Sequence, residues 1–521
     1  MHVFSGAMLS ANKPRALASM QNGTRVAAVD LGSNSFRLEI GRVAYGQFYR
    51  TEYLKETVRQ GNGLDEERNL TPEALERGWN CLARFGERLA GFGRDQVRAV
   101  ATQTLREARN RDDFLRRGNR ILGFPIDVIS GVEEARLIYQ GVAHMLPQSK
   151  EKRLVVDIGG RSTELILGQG LAAQVMESYR VGSIAWSTRY FPDGQFTAKA
   201  FQMAEIAAKA LLDEALNTYR RDTWEAAYGS AGTIGAVGDV LSAAGWSAGV
   251  VTRDGLDWLL DKLVRAQSAD RLRLEGIKDD RRAVIGGGVS ILRAVFDLLG
   301  VEQMQAAAGG LRHGLLYELI ERGDEQADLR SSTVRRLAEK FDVDTAQGER
   351  VSLVANLLFR QLQSGPTAAQ SSAVQPHQDD LKWAGLLHEI GTQISHSDYH
   401  KHGAYILNNA DAIGFSMAEM QTLSQLVLGH RGKLRKLELD AQDSLFVQQL
   451  LALRLAVILC HARRDPQSSG LRLKLAPAQS GAFVFAAPAG WAQAYPQSAH
   501  LLREETLAWQ KTSWSLALDG I

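Results

Sequence analysis

The chain has 521 residues, 45% hydrophobic and 23% charged, an ordinary globular composition with enough length for three or four domains. Its 61 basic and 59 acidic residues leave a net charge of +2, which excludes recognition of a polyanion by global charge, so any anion site must be local. The two cysteines, Cys81 and Cys460, form no CxxC pair, which excludes a disulfide framework and a thiolate zinc site.

Residues 1–23 are a mixed polar stretch without an apolar h-region. They read as a disordered extension, with Met8 and Met20 as further candidate starts. No run approaches the ~20 apolar residues that span a membrane. The expected compartment is the cytoplasm, with no integral membrane contact and no nucleic-acid partner.

An internal repeat follows. Val26-Ala27-Ala28-Val29-Asp30-Leu31-Gly32-Ser33-Asn34-Ser35 is an apolar run ending in Asp and a small-residue turn, and Leu154-Val155-Val156-Asp157-Ile158-Gly159-Gly160-Arg161-Ser162-Thr163 repeats the plan. After each turn comes a second β-type run, 36–40 and 164–167. Each copy reads as a hairpin whose turn needs glycine at positive φ. The duplication predicts two similar α/β domains facing each other.

Between the copies, residues 71–91 have helical periodicity, with Thr71 as N-cap and Pro72 at the first helical position. Strands are predicted at 97–101 and 125–129. Ser130-Gly131-Val132-Glu133 then opens a helix with capping-box spacing. Glycine clusters stand at 229–233, 286–288 and 309–314. From about 324 the pattern turns helical: 333–341, 345–362, 380–390, 417–428 and 446–462. Residues 364–378 read as a flexible loop, and the runs 471–475 and 481–485 as a small α+β tail.

Small residues let successive backbone N–H groups approach a phosphate, and hydroxyls add donors. Gly32, Ser33, Asn34 and Ser35 form one candidate loop. Gly159, Gly160, Ser162 and Thr163 form the second, and Gly232 and Thr233 stand in a third. A glycine loop alone also suits an ordinary turn; two copies behind Asp-ended strands strengthen the phosphate reading. A buried strand-end carboxylate needs donors or a cation, and a hard ion such as Mg²⁺ suits it. Asp157 with Glu164 is the stronger candidate metal site and Asp30 the weaker, each aspartate alternatively capping its own turn.

Glu133 is expected to cap the helix start. That leaves Glu134 as the candidate general base, set against two solvated helix-start glutamates as the plain alternative. The stretch 94–120 holds eight arginines against four acids. Arg106, at a strand-to-helix junction, is the one expected to grip phosphate bidentately. His388, His396, His400, His402 and His430 cluster in the helical half. No histidine lies in the helical stretch 345–362 upstream, so these read as structural or phosphate-facing rather than as a metal site.

The segments Val29 to Phe36, Thr104-Leu105-Arg106, Ser130 to Ile138, Asp157-Ile158-Gly159-Gly160, Ser162 to Leu165 and Gly229 to Thr233 together resemble the exopolyphosphatase / guanosine-pentaphosphate phosphatase family. Leu387-His388-Glu389-Ile390-Gly391, His402 and Ala404 to Leu407 are similar to its longer members. The resemblance implies an actin-like (ribonuclease H-like) α/β domain pair, then an all-α HD-like domain and a small α+β tail. The expected boundaries are 24–137, 138–323, 324–470 and 471–521. It also implies Mg²⁺ dependence, a catalytic glutamate at Glu134, a homodimer, and a basic channel with contributions from Arg431, Lys433, Arg435 and Lys436. The expected activity is release of the terminal phosphate from inorganic polyphosphate, from guanosine pentaphosphate, or from both. Two other readings are a kinase on the same superfold and a sensor with a crippled site. The family loop reads Asp-Ile-Gly-Gly-Gly-Ser-Thr; Arg161 replaces its third glycine, which predicts either strain at positive φ or an added phosphate contact.

Overall fold

The structure is a computed structural model. It describes residues 22–44, 47–147, 149–321, 324–363, 371–410, 412–434, 437, 444–476 and 481–521. The expected extension falls outside these residues as far as 21, and Gly23 is already tied in, its N–H donating to Val43 O at 2.8 Å. The chain divides into two compact units: the described residues up to Ile126 with Glu134–Asp328, and Asp127–Glu133 with Leu329–Ile521.

The first unit holds two sheets built on one plan. The first lobe's strands are β1 (Arg25–Leu31), β2 (Phe36–Ala44), β3 (Gln47–Glu56), β4 (Val97–Ala101) and β5 (Ile126–Val128), in the order β3-β2-β1-β4-β5. The second lobe's are β6 (Lys152–Ile158), β7 (Thr163–Gln169), β8 (Ala172–Tyr179), β9 (Ala226–Ser230), β10 (Val250–Thr252) and β11 (Gln303–Ala306), in the order β10-β11-β9-β6-β7-β8. Both begin with a three-stranded antiparallel meander and then add a parallel strand, β4 on β1 and β9 on β6. The hairpins were legible from their apolar runs. The third meander strands were not, because β3 is mostly polar and partly exposed along its length.

The first lobe carries α1 (Pro72–Arg88), α2 (Gln103–Glu107), α3 (Arg111–Leu122) and α4 (Gly131–Met145). Thr71 Oγ1 accepts from Ala74 N at 3.3 Å, the N-cap expected there. Phe36, Leu82, Phe85 and Phe114 fill the core. The second lobe carries α5 (Ser183–Tyr190), α6 (Ala198–Leu212), α7 (Ala215–Thr218), α8 (Ala231–Ala243), α9 (Arg253–Ala266), α10 (Asp279–Arg282), α11 (Ile285–Leu299) and α12 (Leu311–Ile320) around a core with Trp186, Phe191, Phe201 and Tyr219. The expected boundary at 137/138 falls inside α4, which runs unbroken. That helix crosses close to α12: a Cβ on Gly314 would lie 1.9 Å from Leu137 O, so only glycine fits the crossing.

The second unit contains α13 (Asp324–Lys340), which begins in the first unit, then α14 (Thr345–Leu362), α15 (Ser371–Leu387), α16 (Tyr399–Asn409), α17 (Met417–Gly429) and α18 (Ser444–Leu459). Residues 371–378, expected as loop, are the start of α15; residues 364–370 of that expected loop lie outside the described residues. A three-stranded sheet, β12 (Arg472–Leu475), β13 (Ala482–Ala486) and β14 (Ser515–Asp519), packs with α19 (Trp491–Ala494) and α20 (Pro496–Trp509). It is not a separate domain in its packing, for Phe483, Phe485 and Trp509 share one core with Val351, Phe359 and Leu450. Arg454 and Glu505, both buried, form a two-pronged ion pair at 2.5 and 2.7 Å across this core, and Arg454 also donates to Gly429 O.

Asp127–Glu133 belongs with this second unit. Ile129 bridges Ser416, and Glu133 Oε2 accepts from Gly414 N at 2.9 Å. Ser130 Oγ does accept from Glu133 N at 3.1 Å, as the capping pattern predicts, while the Glu133 carboxylate reaches out to Gly414. Among the described residues no helix is long and apolar enough to cross a membrane.

Candidate active site

The two repeated turns meet. A Cβ on Gly160 would stand 3.4 Å from Ser33 Cβ and 2.8 Å from Ile184 Cδ1. None of Gly32, Gly159 and Gly160 has positive φ, contrary to the expectation for these turns. At Gly160, glycine is required by close approach instead. Arg161 is likewise free of positive φ, so the strain expected of it is absent.

A cavity of about 300 Å³ opens where the turns meet. Gly32, Ser33, Asn34 and Ser35 line one wall, and Gly159, Gly160 and Ser162 the other. Ser230, Ala231 and Gly232 supply a third side; Ala231 is held at φ 66°, a strained position for a residue with a Cβ. Among the described residues the buried Ser35 hydroxyl has no hydrogen-bond partner, leaving a donor on the wall. Three of the expected phosphate ligands have other partners. Thr163 Oγ1 donates to Val181 O at 2.5 Å, and Thr233 Oγ1 to Ile158 O at 3.2 Å, so both hydroxyls hold the loops in shape. Arg106 is absent from the cavity wall. Its Nη1 donates to Glu134 Oε2 at 2.7 Å, and its Nε and Nη2 to Gln103 Oε1 at 3.0 and 2.6 Å. A carboxylate taken out of water needs such a cation.

Glu134, Asp30 and Asp157 all line the cavity. Burial pushes the Glu134 carboxyl above its usual range; Arg106 opposes the shift and Asp30 adds to it. The two aspartates differ because the hairpins share one register with different residues. Asp30 lies opposite Arg37, whose Nη1 is 3.4 Å away, and Arg312 Nη1 is at 3.7 Å. Asp157 lies opposite Glu164. Burial, then nearby Glu134, raise the Asp157 carboxyl to about 7, although the Ser230 hydroxyl opposes the shift. Glu164 is raised well above its usual range, first by burial and then by Glu134 and Asp157; Ser178 Oγ donates to it at 2.7 Å.

Two facing carboxylates in a buried site fit a divalent cation. Among the described residues no three His, Cys, Asp or Glu side chains are arranged as a ready cage. Mg²⁺ does not need one, since it is commonly held by one or two carboxylates together with waters and substrate phosphate.

The cavity wall also carries Arg37, Arg161, Arg281 and Arg312, with Tyr53 and His313. Among the described residues the Arg281 guanidinium makes no hydrogen bond or ion pair, and it lies against Gly232, where a Cβ would come within 2.1 Å of Nη2. Burial pulls its pKa below the usual arginine value and Arg37 adds to the shift, while Asp280 opposes it. None of Arg37, Tyr53, Arg281, Arg312 and His313 was picked out from the sequence. Arg37 had a signal, because it stands seven residues after Asp30 as Glu164 does after Asp157. Arg312 and His313 follow a glycine pair at a helix start; Tyr53 and Arg281 carry no local motif.

In the helical unit, His388 Nδ1 pairs with Gly385 O at 2.7 Å and His430 Nδ1 with Val427 O at 2.6 Å. Burial lowers both pKa values, strongly for His430. Arg431 lies over the Tyr399 ring, and Arg435 and Lys436 lie outside the described residues.

Two mixed sheets of one plan, meeting at facing small-residue loops around a cavity lined by carboxylates and arginines, define an actin-like α/β pair. Residues 40–323 match the Ppx/GppA phosphatase family and residues 329–506 match domain III of Ppx/GppA phosphatases. The chain belongs to the Ppx/GppA phosphatase family, whose members hydrolyse phosphoanhydride bonds. Among solved structures it is similar to an exopolyphosphatase from Cytophaga hutchinsonii, at 22% identity over 57% of this chain and 98% of that one, with a TM-score of 0.52. It is also similar to an exopolyphosphatase-like protein, at 25% identity over 57% and 99%, TM-score 0.51. The Ppx/GppA enzyme of Aquifex aeolicus matches at 24% identity over 56% and 99%, TM-score 0.49.

Proposed function

We propose that the chain is an exopolyphosphatase, removing the terminal phosphate of inorganic polyphosphate with Mg²⁺. The observation that carries this is a cavity walled by three small-residue loops, lined by Glu134 and by the Arg281 guanidinium, which makes no hydrogen bond or ion pair among the described residues. Loop amides and the Ser35 hydroxyl receive the terminal phosphoryl oxygens. Arg281 and Arg37 neutralise the next charge along the chain. Glu134, its carboxyl raised by burial and oriented by Arg106, holds the attacking water and accepts its proton. Asp157 and Glu164 would hold Mg²⁺, which, when bound, offsets charge on the phosphoryl oxygens.

A second substrate, guanosine pentaphosphate, is favoured by Tyr53, an aromatic ring on the cavity wall with Arg312 5.2 Å from its centroid. We read the helical unit as the HD-like domain of the longer family members, with its histidines structural. Phosphate release from long polyphosphate, tripolyphosphate and guanosine pentaphosphate, each with Mg²⁺ and no acceptor, tests the proposal. Fastest release from long polyphosphate is expected. Release confined to guanosine pentaphosphate selects the second substrate, and no release from any of them overturns the hydrolase reading.

A further inference from the structure

Arg161 leaves the second loop and reaches the first lobe. Its Nη2 and Nε donate to Glu107 Oε2 at 2.8 and 3.2 Å, and its Nη1 to Gly61 O at 3.1 Å. Its backbone is pinned from beneath, since a Cβ on Gly182 would fall 2.3 Å from Arg161 N. Both partners lead into the site. Glu107 Oε1 accepts from Gln103 Nε2 at 2.6 Å; Gln103 Oε1 takes two donors of Arg106; Arg106 holds Glu134. Gly61 N donates to Ser33 O at 2.8 Å, and Thr104 Oγ1 to Ser33 Oγ at 2.8 Å. Three of the five residues of α2, Thr104, Arg106 and Glu107, thus touch the first loop, the base and the second lobe, and Gln103 joins the last two.

We infer that Arg161 is a positioning residue, a latch that ties the second lobe to α2 of the first and so sets Glu134, through Glu107, Gln103 and Arg106, and the Ser33 loop, through Gly61. The pair is charge-assisted, with side chains only 25% and 14% exposed, so it is more than a screened surface contact. Parting of the lobes would break the Glu107–Arg161 contact and take from Glu107 a counter-charge while it holds Gln103. The kinetic part of this inference rests on the hydrolase reading above; the latch itself does not.

Two measurements test it. The first is kinetic. Arg161→Gly and Glu107→Gln are each expected to lower kcat about tenfold with KM within about threefold, because displacement of a reacting group of this kind costs that much or more. The double variant is expected to be no worse than either single, and Arg161→Lys to recover part of the loss. A KM that rises in Arg161→Gly and not in Glu107→Gln would mean that Arg161 touches substrate, and overturns the inference. The second needs no turnover. Cys81 and Cys460 are buried, so spin labels attach selectively at Ala83→Cys on the first lobe and Asn217→Cys on the second, both exposed. The short-distance population is expected to shrink alike in Arg161→Gly and Glu107→Gln; an unchanged distribution overturns the latch. If distances shift while the unmodified protein releases no phosphate from any phosphoanhydride, the latch stands and the hydrolase reading falls.

Discussion

Asp157 faces Glu164 across β6–β7, two carboxylates at the register position where the first hairpin sets Asp30 against Arg37. Like charges directly opposite each other on a sheet repel. Here they are also buried, which raises the Asp157 carboxyl to about 7.

The sign of the resulting pH dependence is fixed. A carboxyl whose folded pKa exceeds its unfolded value near 4 contributes stability fully below pH ~4 and loses it as pH rises through the folded value. Metal-free protein is therefore expected to lose stability between pH 5 and pH 8. Asp157→Asn should flatten that loss and gain about 1–3 kcal/mol at pH 8, while abolishing the response to Mg²⁺. Denaturation midpoints in chelator at the two pH values measure this; an unchanged slope in the variant refutes it.

Glu134→Gln keeps the shape of the side chain and removes its basicity. The expected result is a kcat lower by about three orders of magnitude with KM within about threefold. Steady-state phosphate release checks it, and near-normal turnover would take Glu134 out of its assigned role.

Arg106→Ala separates two jobs for one residue. As placed, Arg106 holds Glu134 rather than substrate. Its loss removes the cation that opposes the upward shift of Glu134, so the base stays protonated to higher pH. The acid limb of kcat/KM should move to higher pH, and kcat at pH 7 should drop roughly 10- to 100-fold. A phosphate-gripping role would show instead as a large rise in KM with the limb unmoved.

Gly160→Val tests the contact between the loops. The added Cβ would meet Ile184 and approach Ser33, and overpacking of this kind costs about 1–3 kcal/mol. The expected outcome is a KM raised about tenfold or more, from loops pushed apart, with a modest fall in melting temperature. An unaltered KM would show that the loops tolerate a wider gap.

The duplicated hairpins were legible because an apolar run ending in Asp and small residues is a local pattern that tertiary context did not override. Asp30 and Asp157 could be named from that pattern and Glu134 from the Ser130–Glu133 spacing at a helix start, and all three line the cavity. The glycines were legible as positions but not as physics. Their φ values depend on the turn actually formed, and at Gly160 it is Ile184 of α5, distant in sequence but in the same lobe, that crowds out a side chain. Arg281 was invisible, since one of two adjacent arginines in α10 acquires meaning only when folding sets it beside Gly232 on the cavity wall. Thr163 and Thr233 were misjudged because a hydroxyl in a phosphate-type loop is equally suited to bracing that loop. Residues 371–378 looked like a linker from composition, yet they lie in the first turns of α15.

The stretch Asp127–Glu133 limits how the protein can be shortened. Expression of the first 328 residues alone would retain both sheets and all three loops. It would also strip Ile129 of its bridge to Ser416 and leave the Glu133 carboxylate without the Gly414 amide. The opening turn of α4 would then fray in water, and Glu134 sits in that turn. The minimal working length of this polypeptide is thus decided by what steadies one helix start, even though every group that faces the cavity lies upstream of residue 314.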